Sequence, residues 1–286
     1  MIKIKSGNLY LVTGASGFLG FPLVKKITEE GGRVRALARD EGKLIDLKEK
    51  FPSIEIHPGD IYDKFEIKQA MDGVHGVFHL AASKHVGLAE TYVRENVKSN
   101  TLGSLNILEE SLNHPDLEFI LGVSTDKAAQ VSGVYGATKL LMERLFTQFE
   151  SINPKCKYRI VRYGNVLYST GSVLCKWKNL IEQGKEVVVT EPKATRFFWS
   201  VDQAIQLIVD GLENAPDSKP YCPSMKSMSI DNLLKAMIKK YSKGKDIPVK
   251  IIGLQAGENL HEKVLEEGPY SNESEQFTIN EIVELI

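Results

Sequence analysis

Tyr135 and Lys139 are a pair whose residue types and spacing could do chemistry. They lie four residues apart at the start of a segment with a helical pattern, so they share one helix face. An ammonium group beside a phenol favours the phenolate and lowers the tyrosine pKa, which gives a usable base near neutral pH. The hydroxyl of Thr125, at the end of the preceding apolar run, could orient the phenol. A surface Tyr–Lys pair without a role is the alternative.

Asp126 and Lys127 follow Thr125 directly, at the mouth of the same predicted strand. One acid and one amine can divide two tasks, protonating a leaving oxygen and removing a proton from carbon. A simple reductase needs neither task. A loop ion pair is the alternative, and the pair favours catalysis only because Tyr135 and a cofactor motif accompany it.

A glycine-rich turn lies where the first predicted strand runs into the first predicted helix. Glycine suits a tight turn, a close approach of backbone to pyrophosphate, and close packing of helix on strand. The N–H groups at the helix start can then bind the phosphates. We predict a dinucleotide site here, against the alternative of a tight turn without a ligand. The predicted contacts are Gly14, Ser16, Gly17, Phe18, Leu19 and Gly20.

The end of the second predicted strand bears on the choice between NAD and NADP. An NAD site usually has an acid there for the ribose 2′-OH, whereas a cation accommodates a 2′-phosphate. Ala38 occupies the expected acid position, with Arg39 next to it and Lys43 near. We therefore favour NADP over NAD, although Asp40 is a competing acid.

The ends of the third and fourth predicted strands complete the predicted cofactor site. Asp60, which Ile61 follows, could accept a hydrogen bond from the adenine amino group, or could simply be a turn aspartate. Ala81 and Ala82 are small enough for close approach to a cofactor, although packing alone explains small residues equally well.

Short apolar runs alternate with amphipathic segments through the first 165 residues. This alternation predicts an α/β fold, a Rossmann-like doubly wound parallel sheet with helices on both faces. After that point the pattern loosens and prolines punctuate it. We predict an NADP-binding domain over residues 1–165 and a smaller substrate-binding lobe, interleaved with the first, over residues 166–286. The predicted strands and helices comprise Asn8–Thr13, Arg33–Leu37, Ile54–His57, Gly76–Leu80, Phe119–Ser124, Tyr158–Tyr163, Phe18–Glu30, Phe65–Met71, Thr91–Leu112 and Tyr135–Phe149.

The composition excludes several classes of protein. The chain has 286 residues, of which 42% are hydrophobic and 26% charged, with 36 basic and 37 acidic side chains. A net charge of −1 gives no reason to expect nucleic acid or an anionic membrane as a partner. Three separated cysteines predict neither a structural zinc nor a disulfide framework. Without a long apolar run, the sequence predicts a soluble, cytoplasmic protein with no metal.

Taken together, the motifs resemble those of the extended short-chain dehydrogenase/reductases, on the stretches TGASGFLG, GD, HLAA, STDKA, YGATK and RYGNV. The longer stretches STDKA…YGATKLLMERLF, VTEP-x-x-TRFF and GENLHE are more specific. They look like the polysaccharide-biosynthesis branch, in particular the inverting UDP-N-acetylglucosamine 4,6-dehydratases of pseudaminic-acid synthesis. The resemblance covers about residues 8 to 265.

The resemblance implies a role for each matching residue. NADP⁺ takes hydride from C4 of the sugar while Tyr135, tuned by Lys139, removes the 4-OH proton. Lys127 then removes the C5 proton as Asp126 protonates the departing 6-OH, and hydride returns to C6. Reprotonation of C5 on the opposite face inverts that centre. Family contacts carry over to Lys84 near nicotinamide and sugar, Val166 beside the cofactor, and Asn165, Thr190, Arg196 and Glu258 at the nucleotide sugar. The family also tends to form homo-oligomers.

The sequence departs from the family pattern at residues expected to bind substrate. Thr170 and Gln255 stand where the family has arginines, and Ala256 replaces a proline. The loss of two cations near a diphosphate leaves open which nucleotide sugar is bound. A 4-epimerase or 4-keto reductase is the main alternative, although epimerisation at C4 needs no base at C5. A non-catalytic NADP-binding protein is the third possibility, and the intact Tyr135 and Lys139 count against it.

Overall fold

The computed structural model describes residues 2–255 and 257–286, and its architecture is α/β. The strands are β1 (Leu9–Thr13), β2 (Arg33–Ala38), β3 (Glu55–Pro58), β4 (Gly76–His79), β5 (Phe119–Thr125), β6 (Lys157–Tyr163), β7 (Asn165–Val166), β8 (Val187–Val189), β9 (Thr195–Trp199), β10 (Pro220–Tyr221), β11 (Ser227–Ser229) and β12 (Val249–Ile251). The helices are α1 (Gly20–Glu29), α2 (Glu41–Lys50), α3 (Lys64–Met71), α4 (Val86–Thr91), α5 (Val93–Asn96), α6 (Gly103–Ser111), α7 (Val134–Ile152), α8 (Val173–Glu182), α9 (Val201–Asn214), α10 (Ile230–Tyr241) and α11 (Ile279–Leu285).

Seven strands form one parallel sheet in the order β10-β6-β5-β4-β1-β2-β3. Strands β2 and β3 follow β1 on one side of it, and the next strand along the chain, β4, lies on the other side of β1. Such a reversal leaves a crevice at the carboxyl ends of β1 and β4, where open α/β sheets bind ligands. The predicted doubly wound sheet is therefore confirmed.

The central strands are buried along their whole length, because helices cover both faces of the sheet. Every residue of β1, β4 and β5 is buried. One core lies around Tyr10 and Phe78, on one face. A second core lies around Leu11 and Phe146, on the opposite face. Successive strand residues point to opposite faces, so the neighbours Tyr10 and Leu11 belong to different cores.

The second half of the chain contributes to both the main sheet and a smaller layer. Helix α9 packs against β6, and β10 extends the main sheet beyond β6. Strands β11, β9 and β7 form a separate small sheet, and β12 pairs with β8. A third core surrounds Trp177 and Leu233 in this part of the chain. The division into two lobes at residue 165 stays a prediction.

Several details of the predicted elements are wrong. The predicted helix Thr91–Leu112 is interrupted by a π-helical turn over Val97–Leu102. Helix α2 was missed because only Leu44 and Leu47 of its ten residues are buried, which leaves little apolar periodicity. Pro220, one of the prolines that punctuate the second half, lies in β10, an edge strand that tolerates a missing N–H. The other elements that were not predicted are β7, β9, β11, α4 and α11. Within the described ranges, no helix combines the length and the apolar character needed to cross a bilayer.

Candidate active site

The glycine-rich turn between β1 and α1 has the close contacts that a dinucleotide cradle needs. Gly14 has a φ of +69°, and a Cβ there would lie 2.9 Å from the backbone N of Ala81. A Cβ on Gly20 would lie 2.2 Å from the Gly14 carbonyl oxygen. Helix α1 begins at Gly20, where the N–H of Phe21 donates to the Gly17 carbonyl oxygen and Pro22 has no N–H. The turn and the start of the helix line the cleft, the position at which a helix N-terminus can bind a pyrophosphate.

The end of β2 presents two cations and a carboxylate that is already engaged. Asp40 caps α2 by accepting from the backbone N of Lys43 at 3.1 Å, and this hydrogen bond lowers the Asp40 pKa. The Lys43 Nζ lies 3.3 Å from the same carboxylate. The Arg39 side chain is 78% exposed and 3.8 Å from Asp60. Asp40 was the acid that competed with the prediction of NADP. Its place in the sequence is explained by its role as the N-cap of α2.

The ends of β3 and β4 close the far side of the cleft. Asp60 accepts from the backbone N of Tyr62 at 3.1 Å, which is the turn role considered for it, and its other oxygen faces Arg39. Ile61 is buried, and both Ala81 and Ala82 line the cleft. Lys84 is half-buried with its Nζ 5.9 Å from the centre of the Phe18 ring, and burial lowers the Lys84 pKa.

A buried polar column behind the cofactor cleft was missed by the sequence analysis. The Thr13 hydroxyl lies 2.8 Å from His79 Nδ1, and His79 Nε2 lies 2.8 Å from the Ser104 hydroxyl. Asn100, in the π-helical turn, accepts from the Ser83 backbone N at 2.7 Å and donates to its carbonyl oxygen at 2.9 Å. Burial and the Lys139 cation lower the His79 pKa to about 3, so the imidazole is neutral. The column fixes the loop that follows β4.

Thr125, Tyr135 and Lys139 lie together where β5 meets α7. Tyr135 is partly buried and lines the cleft, with its phenol next to the Thr125 side chain. Lys139 is 2% exposed and lies one turn further along α7. Burial raises the pKa of Tyr135 to about 12 and lowers that of Lys139 to about 8. The predicted lowering of the tyrosine pKa is therefore wrong for the unliganded chain, because desolvation of the phenolate outweighs the nearby charges.

Asp126 and Lys127 form a buried ion pair beside this group. The Lys127 Nζ lies 3.1 Å from each carboxylate oxygen of Asp126. Thr125 donates to Asp126 at 2.9 Å. On its other side the Lys127 Nζ lies 3.0 Å from Glu262, which is fully buried and was not predicted. The two carboxylates raise the Lys127 pKa despite burial.

A second buried ion network supports α7 from behind. Arg162, which is 0% exposed, donates to Glu143 at 2.7 and 2.6 Å and to Glu266 at 3.0 and 2.9 Å. Ser124 also donates to Glu143, at 2.5 Å. The negative charge of Glu143 opposes the loss of the Lys139 proton. The network thereby ties α7, β6 and the C-terminal region together around the Tyr135–Lys139 pair.

The residues predicted to hold the substrate lie across the cleft from the glycine-rich turn. Asn165 and Val166 form β7, paired with β9. Thr190 follows β8, and Glu258 accepts from the backbone N of Gln255 at 3.1 Å. Arg196 is 7% exposed, and its guanidinium donates to the carbonyl oxygens of the residues at 195 and 260. Thr170 lines the cleft, whereas the replacement at Ala256 lies outside the described residues.

One cleft of about 1240 Å³ brings together all of the predicted site residues. Its lining runs from the glycine-rich turn, past Arg39 and Asp60, to the Asp126–Lys127 pair and on to Arg196 and Glu258. This volume exceeds the range of about 300–1,000 Å³ that is typical of single-ligand pockets, which leaves room for a second ligand beside a dinucleotide. The arrangement can bind a dinucleotide next to a second substrate, with proton-transfer groups where the two would meet.

A family model matches nearly the whole of this chain. The family described as "Polysaccharide biosynthesis protein" matches residues 10–283. The chain belongs to this polysaccharide biosynthesis protein family. The resemblance predicted from the motifs is therefore confirmed.

Named relatives of this family member fall into more than one class. An uncharacterized membrane protein of Methanocaldococcus jannaschii is 37% identical over 92% of this chain and 82% of its own length. An inverting UDP-N-acetylglucosamine 4,6-dehydratase of Campylobacter jejuni is 34% identical over 90% of this chain and 77% of the relative. A UDP-glucose 4-epimerase of Rickettsia rickettsii is 31% identical over 89% of this chain and 76% of the relative. The solved structure of Pen from Bacillus thuringiensis superposes with a TM-score of 0.86 at 29% identity, covering 91% of this chain and 81% of that one.

Proposed function

We propose that this family member is a nucleotide-sugar 4,6-dehydratase that acts on UDP-N-acetylglucosamine, inverts C5 and uses NADP. The observation that carries the proposal is the buried Asp126–Lys127 ion pair, which lies beside Tyr135 in the same cleft as the dinucleotide cradle. A reaction confined to C4 has no use for a second acid–base pair. Elimination of water across C5 and C6 needs such a pair.

The cradle fits a dinucleotide because its close contacts leave no room for side chains at Gly14 and Gly20. The exposed Arg39 and Lys43 favour a 2′-phosphate, and Asp40 is engaged as a helix cap. These observations support NADP over NAD. When bound, the nicotinamide supplies hydride chemistry, accepting hydride from C4 and returning it to C6.

Tyr135 is the proposed base for the 4-hydroxyl proton. Its phenol is protonated at neutral pH, because burial raises its pKa to about 12. It therefore needs added positive charge before it can accept that proton. Lys139 supplies part of this charge when protonated, below about pH 8. The Thr125 hydroxyl holds the phenol in place.

Asp126 and Lys127 are the proposed acid and base for the elimination. In this mechanism the pair holds one transferable proton, which can lie on the amine or on the carboxylate. With the proton on Asp126, Lys127 is a neutral amine that can take the C5 proton, which the 4-keto group has made acidic. Asp126 gives its proton to the departing 6-hydroxyl, so that one water leaves. Return of a proton to the opposite face of C5 inverts that centre.

The sugar nucleotide is proposed to lie against Lys84, Asn165, Thr190, Arg196 and Glu258. All five residues line the cleft. One nitrogen of Arg196 is committed to backbone carbonyls, so the guanidinium is held rigidly before any diphosphate arrives. With Thr170 and Gln255 in place of arginines, this site holds fewer cations than the family pattern. Several nucleotides are therefore compared in the experiment that follows.

The deciding experiment is incubation of the protein and NADP with UDP-, GDP- and dTDP-sugars in D₂O, followed by NMR and mass spectrometry. We expect a 4-keto-6-deoxy product from UDP-N-acetylglucosamine, inverted at C5 and deuterated there. The control is Tyr135→Phe, which should lose about 10²–10⁴-fold in rate. A product of unchanged mass, inverted at C4 and without deuterium at C5, would establish the 4-epimerase that the Rickettsia relative makes the main alternative. The predicted homo-oligomer is a separate proposal that light scattering tests.

A further inference from the structure

Glu262 is a buried carboxylate in contact with the proposed base, although it does not line the cleft. It is 0% exposed, and its Oε1 lies 3.0 Å from the Lys127 Nζ. Its Oε2 accepts from Asn259 Nδ2 at 3.3 Å. Among the described residues, Oε1 has no well-directed hydrogen-bond partner. The contact with Lys127 is therefore an ion pair whose contribution is mainly electrostatic.

The charges around Lys127 are balanced only when Glu262 is counted. Asp126 and Glu262 face it as anions, and Arg196 lies behind Glu262, with Nε 3.9 Å from the Glu262 carboxylate. Tyr135 and Cys222 also lie within range of the Asp126 charge, which together with burial raises their pKa values. Two cations thus oppose two anions in a buried space. Removal of the Glu262 charge would leave one anion for two cations, and Lys127 would then release its proton more easily.

We propose that Glu262 is a positioning residue that keeps the shared proton on the Asp126–Lys127 pair. This role rests on the proposed dehydratase function. The contact geometry supports this role, because Glu262 and Asp126 hold the ammonium at nearly equal distances. The raised pKa of Lys127 agrees with it. The consequence is chemical coupling: Asp126 keeps a proton to give to the 6-hydroxyl when Lys127 removes the proton from C5.

Loss of the Glu262 charge should favour one partial reaction over another. A 4-keto-6-deoxy sugar that keeps the C5 configuration of the substrate presents its C5 proton to Lys127, and exchange of that proton needs only the neutral amine, so exchange should become faster. Dehydration also needs a proton on Asp126, so it should gain much less. A residue that merely supports the fold would slow both reactions together.

The test compares Glu262→Gln with wild type at pH 8 by NMR, following deuterium uptake at C5 of the 4-keto-6-deoxy sugar that is not inverted at C5 and the dehydration of UDP-N-acetylglucosamine. A one-unit fall in the Lys127 pKa raises its small neutral fraction about tenfold and leaves most of the amine protonated, so we expect exchange about tenfold faster and a dehydration rate that rises by no more than about twofold. Glu262→Asp keeps the charge and should leave the ratio of the two rates within about threefold of wild type. Glu267→Gln, at an exposed position on the same segment, is the matched control.

Each outcome separates this role from the proposed function. A wild-type protein that forms no 4-keto product refutes the dehydratase and this role with it. A working wild type whose Glu262→Gln variant keeps the wild-type ratio of the exchange rate to the dehydration rate refutes the role alone. If Glu262→Gln does not fold, Asn259→Ala removes the hydrogen bond that orients the carboxylate and should raise the same ratio by a smaller factor.

Discussion

Replacement of Lys127 by methionine tests the ion pair through stability as well as activity. The ammonium lies 3.1 Å from Asp126 and 3.0 Å from Glu262, and the side chains of these carboxylates are 2% and 0% exposed. Methionine has a similar length but no charge. The substitution leaves two buried carboxylates with Arg196 as their remaining neighbour of opposite charge in this contact group.

The expected loss of stability follows from the unpaired charge. Breaking a buried pair by removing one partner costs about 3–5 kcal/mol, because an uncompensated charge stays buried. For a chain of this size, each kcal/mol lowers the melting temperature by about 2 °C, which gives a fall of roughly 6–10 °C at pH 8. Burial raises the Glu262 pKa above its unfolded value, and loss of the Lys127 cation removes a charge that opposes this rise. The penalty is therefore complete above the raised folded pKa and shrinks as the pH falls below it.

The assay is thermal unfolding followed by circular dichroism at pH 8 and pH 5.5, for wild type, Lys127→Met and Lys155→Met, an exposed control. The variant should melt closer to wild type at pH 5.5 than at pH 8. Its dehydratase rate should fall by about 10²–10⁴-fold, as expected for a lost general base, while NADP still binds. A variant as stable as wild type at both pH values would refute the buried ion pair. Unchanged formation of 4-keto product would refute Lys127 as the base.

Three further predictions concern the cofactor half of the cleft. Gly20→Ala would place a Cβ 2.2 Å from a backbone oxygen, so this variant should lose about 1–3 kcal/mol of folding stability. Thermal unfolding should also show that NADP stabilises the variant much less than wild type. Gly87→Ala, which has open space around the new Cβ, is the control and should show neither loss. Arg39→Ala should weaken NADP binding about tenfold and leave NAD binding within about twofold by calorimetry, since a charge-assisted hydrogen bond contributes about 1.5–3 kcal/mol; equal losses for both would contradict the 2′-phosphate contact. Lys139 has its pKa lowered to about 8, so the unfolded chain binds its proton more strongly than the folded one. Urea unfolding should therefore show wild type gaining stability relative to Lys139→Met as the pH rises from 7.5 to 10, and a constant difference would contradict the burial of that charge.

The cofactor half of the site could be predicted because its residues follow strand ends. In a parallel sheet all carboxyl ends meet at one edge, so Gly14, Arg39, Asp60 and Ala81 converge without any long-range information. Tyr135 and Asp126 follow the same rule, since both lie between β5 and the first turn of α7. Local spacing and the strand order together determine these positions.

The residues that were missed depend on contacts that local spacing cannot indicate. Glu262 lies 135 positions after Lys127, and nothing in the intervening sequence predicts that the two meet. Asn100 lies in a segment that we predicted to be one continuous helix. In the structure this segment contains a π-helical turn, and the Asn100 side chain bonds to the backbone of Ser83. The tyrosine pKa was misjudged because burial, which raises it, cannot be read from an i, i+4 pair.

Three glutamates at four-residue intervals, Glu258, Glu262 and Glu266, connect these observations. The first lines the cleft, the second contacts Lys127 and the third pairs with Arg162, although no helix spans them. Arg162 in turn holds Glu143 of α7, the helix that carries Tyr135 and Lys139. The segment from 258 to 266 therefore contacts the proposed substrate site, the proposed acid–base pair and the support of the proposed tyrosine base at once. Because Glu262 and Glu266 each compensate a cation that is buried or nearly so, the charge balance around Lys127 and Arg162 is complete only when this late segment is docked.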